Sequence, residues 1–140
     1  MKQDTKIVTA GRKAKWTNGV VNPSVTRAST VVFNSVEEMN NALKNRNNQT
    51  MVYGRRGTTT AFAFSDAMTE LEGGAGCALY PSGTAAITNA ILSFVQSGDH
   101  ILMVDSVYEP TRDYCDKILA KMGVETSYYD PLIGADIEGL

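Results

Sequence analysis

One histidine, His100, and two cysteines, Cys77 and Cys115, are the only imidazole and thiol groups in 140 residues. The cysteines stand far apart with no CxxC pair, so neither a disulfide framework nor a zinc site is expected. Cys77 lies in an apolar stretch and is expected to be a small buried hydrophobe. Basic excess is missing as well. Thirteen Lys and Arg face 15 Asp and Glu, the net charge is −2 and the isoelectric point is near 5.3. That balance gives no nucleic-acid footprint. No apolar run reaches the length of a membrane-spanning helix, and Met1-Lys2-Gln3-Asp4-Thr5 leads into no signal-peptide core, so a cytoplasmic protein is expected. What is present suits a folded domain with its own core: 43% of the residues are hydrophobic and 20% charged.

The front of the chain differs from the rest. Thr17 to Phe33 carries turn and β-branched residues with little helical periodicity and reads as an extended arm. Ser35 followed by Glu38 has capping-box spacing and predicts a short polar helix through about Lys44, then a polar loop over Asn45 to Thr50. A helix is predicted from about Thr58 to Glu72, with Ala61, Phe64, Ala67, Met68 and Leu71 on its apolar face, stopped by Gly73-Gly74. The boundary between arm and α/β region is placed at 57/58.

From Cys77 the pattern alternates. A short strand Cys77 to Tyr80 precedes a helix capped by Ser82, whose apolar face is Ala86, Ala90, Ile91 and Phe94. His100 to Asp105 reads as a strand covered on both faces. Glu109-Pro110 opens the next helix, with Tyr114, Ile118 and Met122 on one face and Gly123 as its stop, and Val124 to Tyr129 is the third strand. Strand, helix, strand, helix, strand implies a parallel sheet with right-handed crossovers. Three such strands would leave an apolar edge unpaired, and Asp130 to Leu140 begins a new loop and helix, so the natural protein is expected to continue. The arm has little of its own to bury, which points to a partner subunit that orders it.

Chemistry concentrates in three places. Tyr80-Pro81-Ser82-Gly83-Thr84 forms a strand-to-helix turn, where glycine admits a close ligand and unpaired amides with the helix dipole favour an anion such as phosphate. Ser82 as a simple cap is the equally weighted alternative. Gly73-Gly74-Ala75-Gly76 precedes its strand, unlike a dinucleotide fingerprint, and no Gly-Lys-Ser/Thr of a P-loop occurs. Tyr53-Gly54-Arg55-Arg56-Gly57 puts a phenol and two guanidiniums on one loop, suited to phosphate or merely solvated. Tyr108 follows the second apolar strand, at the end where open α/β sheets place ligands. Tyr114, Tyr128 and Tyr129 read as core tyrosines, and Asp99, Asp105 and Glu109 have no metal-ligand spacing.

Taken in order, Val52-Tyr-Gly-Arg-Arg-Gly-Thr, Leu71-Glu-Gly-Gly-Ala-Gly-Cys, Tyr80-Pro-Ser-Gly-Thr-Ala-Ala, Ser97-Gly-Asp-His and Tyr108-Glu-Pro resemble the Cys/Met-metabolism family of pyridoxal-phosphate (PLP) enzymes. The resemblance runs from about Thr5 to Leu140 and covers roughly the first third of a family member. It implies an α/β fold: an N-terminal arm and the start of the large PLP-binding domain of a fold-type I, aspartate-aminotransferase-like enzyme, mainly parallel sheet with helices on both faces. It implies that Ser82 and the amides of Gly83 and Thr84 hold the cofactor phosphate, and that Tyr108 stacks on the pyridine ring and assists proton movement. Tyr53 and Arg55 would reach the neighbouring subunit's phosphate in a homotetramer built from dimers. Position 84 is often Met or Ala in the family, so Thr84 is a departure that keeps the backbone contact. The implied reaction is α,β-elimination of L-cystathionine to homocysteine, pyruvate and ammonia, with γ-elimination and γ-replacement as the alternatives other members catalyse. A phosphate-binding or assembly module without chemistry stays open too. The cofactor-bearing lysine, the aspartate on the pyridine nitrogen and the arginine for the substrate carboxylate are expected beyond Leu140, so these 140 residues alone are expected to release no pyruvate.

Overall fold

The computed structural model describes residues 2–140, and the chain forms two compact units, Met1–Leu79 and Tyr80–Leu140. In the first, helix α1 (Gln3–Thr9) and the short α2 (Ala14–Thr17) precede the extended arm, and α3 (Val36–Lys44) follows it. α3 begins at the predicted cap: Ser35 Oγ accepts the Glu38 amide at 3.1 Å, while Glu38 Oε2 accepts at 2.8 Å the amide of Asn34, one residue before the Ser35 amide that a full capping box would engage. None of its residues is buried, in keeping with its polar composition. A single 3-10 turn, Gly54–Arg56, leads into α4 (Thr59–Glu72), which ends with Gly73 in the left-handed conformation.

The buried face of α4 is not the one its periodicity predicts. Phe62 and Ala63 are buried, whereas Phe64 and Leu71 are exposed. The reason is Trp16, absent from any sequence motif. It packs on Phe62 with ring centroids 5.3 Å apart, and the pair joins Ala63 in this unit's core. The arm is strapped to the start of α4 by hydroxyls: Thr26 N–H donates to Thr60 Oγ1 at 2.7 Å, and Thr60 Oγ1 donates to the Ser24 carbonyl at 2.8 Å.

Asp66, on α4, ties this unit together. Its carboxylate accepts Trp16 Nε1 and Gln49 Nε2, each at 2.9 Å, and pairs with Lys13 Nζ at 2.7 Å. Burial opposes ionisation of this carboxyl, but the donors Lys13, Trp16 and Gln49 and the lysine charge outweigh it and hold the pKa at about 2. A carboxylate whose pKa is depressed by folding contributes stability that is complete above its ordinary value of 3.8 and lost as pH falls toward 2. The full contribution is about 2 kcal/mol. Asp66→Asn is therefore expected to flatten the acid limb. Denaturant midpoints of wild type and variant should converge between pH 4 and pH 2, and parallel curves would refute this role of Asp66.

The second unit holds α5 (Gly83–Leu92), β1 (His100–Val104), α6 (Glu109–Tyr114) and β2 (Glu125–Tyr129). β1 and β2 pair in parallel, His100 opposite Glu125 through Val104 opposite Tyr129. The expected three-stranded sheet is two-stranded among the described residues: Cys77 to Tyr80 has no regular secondary structure and pairs with no strand. Cys77 is accordingly half-buried instead of enclosed. β1 is not covered on both faces either. Leu102 is exposed, while Ile101 and Met103 pack on a core of Cys115, Leu119 and Val124.

The helix expected to run to Met122 changes its winding. After α6 comes a π-helical turn, Cys115–Leu119, closed by the Ala120 amide on the Cys115 carbonyl, and then a 3-10 turn, Ala120–Met122. The extra residue rotates the apolar face. Thr111, Cys115 and Leu119 point inward, and Ile118 and Met122 of the predicted stripe are exposed. On α5 likewise, Ile91 packs on that core together with Val95 just beyond the helix, leaving Phe94 exposed. Burial raises the pKa of the Cys115 thiol, so it serves as core filling. Three-residue Asp130 to Leu132 then leads toward a 3-10 segment, Gly134–Gly139.

Candidate phosphate and cofactor site

In the second unit, Ser82 is extended (φ −154°, ψ 160°) and caps α5, its Oγ accepting the Ala85 amide at 3.1 Å while its carbonyl accepts the Ala86 amide at 3.0 Å. The amides of Gly83 and Thr84 then have no hydrogen-bond partner among the described residues. They are two of the donors every helix start leaves over, and the dipole of α5 adds partial positive charge beside them. The Ser82 hydroxyl accepts one bond and keeps its own proton to donate. Beyond its chain neighbours and the backbone of α5, nothing lies within 4 Å of where a Gly83 Cβ would stand, so the turn is open on that side. The combination suits a phosphate.

Tyr108 is the N-cap residue of α6, directly followed by Glu109 and Pro110 in the first turn. Its side chain is 62% exposed and makes no hydrogen bond among the described residues. α5 packs against α6. Because each helix runs back against a parallel strand, the starts of α5 and α6 belong to the carboxyl end of the sheet. Ser82, Gly83, Thr84 and Tyr108 are thereby gathered within one unit.

Tyr53 and Arg55 belong to the first unit. Tyr53 forms an isolated antiparallel bridge with Thr30, its hydroxyl accepts Ser29 Oγ at 3.2 Å, and the Arg55 guanidinium stands 5.5 Å from its ring centroid. Arg46, Arg55 and Arg56 line a cavity of about 470 Å³ together with Phe62, Ser65 and Cys77. Arg55 forms no ion pair among the described residues, so its charge is free for an anion. Two further structural residues carry no sequence signal: Asp66, whose partners Lys13 and Trp16 stand far back in the sequence, and Arg112, which bonds Asp105.

The family model described as Cys/Met metabolism PLP-dependent enzyme matches residues 4–140. Cystathionine beta-lyase MetC of Escherichia coli is 57% identical over 136 residues, which is 97% of this chain and 34% of that protein. A putative cystathionine beta-lyase of Saccharomyces cerevisiae is 44% identical over 97% of this chain and 38% of its own length. Among solved structures, metB from Corynebacterium glutamicum superposes with a TM-score of 0.84 at 22% identity, covering 99% of this chain and 34% of that one, a likeness of fold. The chain thus spans about a third of the length of the curated relatives it matches. Its α/β fold is that of the corresponding part of these enzymes, and the chain belongs to the Cys/Met metabolism family of PLP-dependent enzymes.

Proposed function

We propose that this chain supplies the phosphate cup and the inter-subunit segment, residues 1–57, of a cytoplasmic PLP-dependent carbon–sulfur lyase. The enzyme cleaves L-cystathionine by α,β-elimination to homocysteine, pyruvate and ammonia, a step of methionine biosynthesis. The observation that carries this is the pair of unpartnered amides at Gly83 and Thr84, open to an incoming phosphate, in a chain 57% identical to a cystathionine beta-lyase.

The cup fits the cofactor. Two backbone N–H groups, the Ser82 hydroxyl and the α5 dipole all present positive charge to a phosphate ester, and charge-assisted bonds of this kind are the strong ones. Tyr108 offers an exposed ring face for the pyridine and a free hydroxyl able to hold or pass a proton near the substrate α-carbon. Tyr53 and Arg55 reach the phosphate bound by a neighbouring copy, in a homotetramer assembled from dimers. Exposed Val21, Val25 and Val32 on the arm support such a partner, which would cover them. When bound, PLP supplies an electron sink for charge developing at the α-carbon.

The test is a chimera in which residues 4–140 replace the matching third of the E. coli relative. Pyruvate and homocysteine formed in equal amounts from L-cystathionine are expected. Release of 2-oxobutyrate instead would move the assignment to γ-elimination. A folded, PLP-loaded chimera without turnover would leave a phosphate-binding module.

A further inference from the structure

Tyr108 ends a loop of four residues, Asp105 to Tyr108, between β1 and the first turn of α6. Its side chain is exposed and forms no hydrogen bond among the described residues, so its place follows the backbone beneath it. At one end, the Asp105 amide donates to the Tyr129 carbonyl at 2.8 Å, extending the sheet ladder by one bond. Inside the loop, the Val107 amide donates to the Val104 carbonyl at 3.1 Å. At the other end, the Tyr108 carbonyl accepts the amides of Thr111 at 2.8 Å and Arg112 at 3.2 Å.

Arg112 closes the circuit with its side chain. Nη2 donates to the Asp105 carbonyl at 2.7 Å and to the Asp105 carboxylate at 2.5 Å. The guanidinium lies over the Tyr128 ring, 3.7 Å from the centroid, and the Tyr128 hydroxyl is fixed in turn by Asp116 at 2.8 Å. One residue is therefore bonded to both ends of the loop: by its backbone to Tyr108 and by its side chain to Asp105, with β2 as its floor. A planar fork can stack on an aromatic face and donate to two acceptors together, which an ammonium on a flexible stem does less well. Exposed ion pairs contribute little to global stability, and Asp105 is 65% exposed, so the consequence of this bond is local.

We infer that Arg112 is a positioning residue that holds the Asp105–Tyr108 loop, and with it the Tyr108 ring, in the stance its cofactor role requires. The inference rests on the proposed contact between Tyr108 and the cofactor, and the test separates the two. Residue-resolved amide exchange is measured on the full chain and on the chimera, for wild type, Arg112→Met and Arg112→Lys. Exchange at Val107, the hydrogen-bonded amide inside the loop, should rise about tenfold in Arg112→Met and about threefold in Arg112→Lys, with the paired amides of β1 and β2 unchanged. No rise in the loop, or an equal rise through both strands, would overturn the positioning role. In the PLP-loaded chimera the same variants should shift the visible absorption band of the cofactor and weaken its binding. A loosened loop with unchanged absorption and affinity would support the hold of Arg112 on the loop and remove Tyr108 from the cofactor.

Discussion

Replacing Gly54 by alanine is expected to destabilise the first unit by about 3 kcal/mol, toward the upper end for overpacking a closed site. The Gly54 amide donates to the Ser29 carbonyl at 2.7 Å, and Thr30 bridges Tyr53 beside it, so two stretches of backbone cross here at hydrogen-bonding distance. A Cβ on Gly54 would fall inside the van der Waals envelope of the Ala28 carbonyl oxygen and carbon. Those are backbone atoms, which cannot rotate aside. Nor can the loop swing out at its other end, because Gly57 lies at φ 123° with its vacant side against the Phe62 ring. For a small domain such a loss lowers Tm by about 4–8 °C per kcal/mol, and a circular-dichroism melt reads it. Adding Ala28→Gly should not rescue the variant, since the clash is with the carbonyl and not the methyl group. Rescue, or a Tm within about 2 °C of wild type, would mean that the crossing is looser than described. The functional corollary is that Tyr53 and Arg55 flank Gly54, so the same variant should lose whatever contact they make.

That crossing marks where the sequence stops being informative. Features that depend on a few consecutive residues were legible: the Ser35 cap, the Ser82 cap, and Gly73 and Gly123 as helix stops. The turn proposed to hold phosphate belongs to this class, because cap, glycine and free amides are one local motif. Features set by distant partners were not legible. Trp16 turns Phe62 inward at the expense of Phe64, and Asp66 collects three donors from two separate stretches. One residue of extra winding at Cys115–Leu119 shifts a four-residue repeat off the core, so a stripe of Tyr114, Ile118 and Met122 is only partly covered. Cys77 to Tyr80 has strand composition, but a strand needs a ladder, and no neighbour among the described residues provides one. Helices α1 and α2 carry no side-chain cap, and their starts were invisible for that reason.

Gly83→Val is expected to separate folding from cofactor binding. Gly83 has ordinary backbone angles and empty space where a side chain would stand, so its substitution meets no atom of the chain. The cost to stability should stay within about 0.5 kcal/mol, the difference in helix propensity among ordinary residues. If the glycine is there so that phosphate can approach the amides of residues 83 and 84, a branched side chain fills that space instead. Losing charge-assisted bonds of about 1.5–3 kcal/mol each should then weaken PLP binding about 100-fold or more, measured by equilibrium dialysis on the chimera. Ser82→Ala supplies the contrast. It removes a helix cap worth about 1 kcal/mol as well as a phosphate donor, so both Tm and affinity should fall. Gly83→Val binding PLP as wild type does would take the phosphate away from this turn and leave Ser82 as a helix cap alone. Weakened binding at unchanged stability has only one physical source, a ligand that needs the space the glycine leaves open.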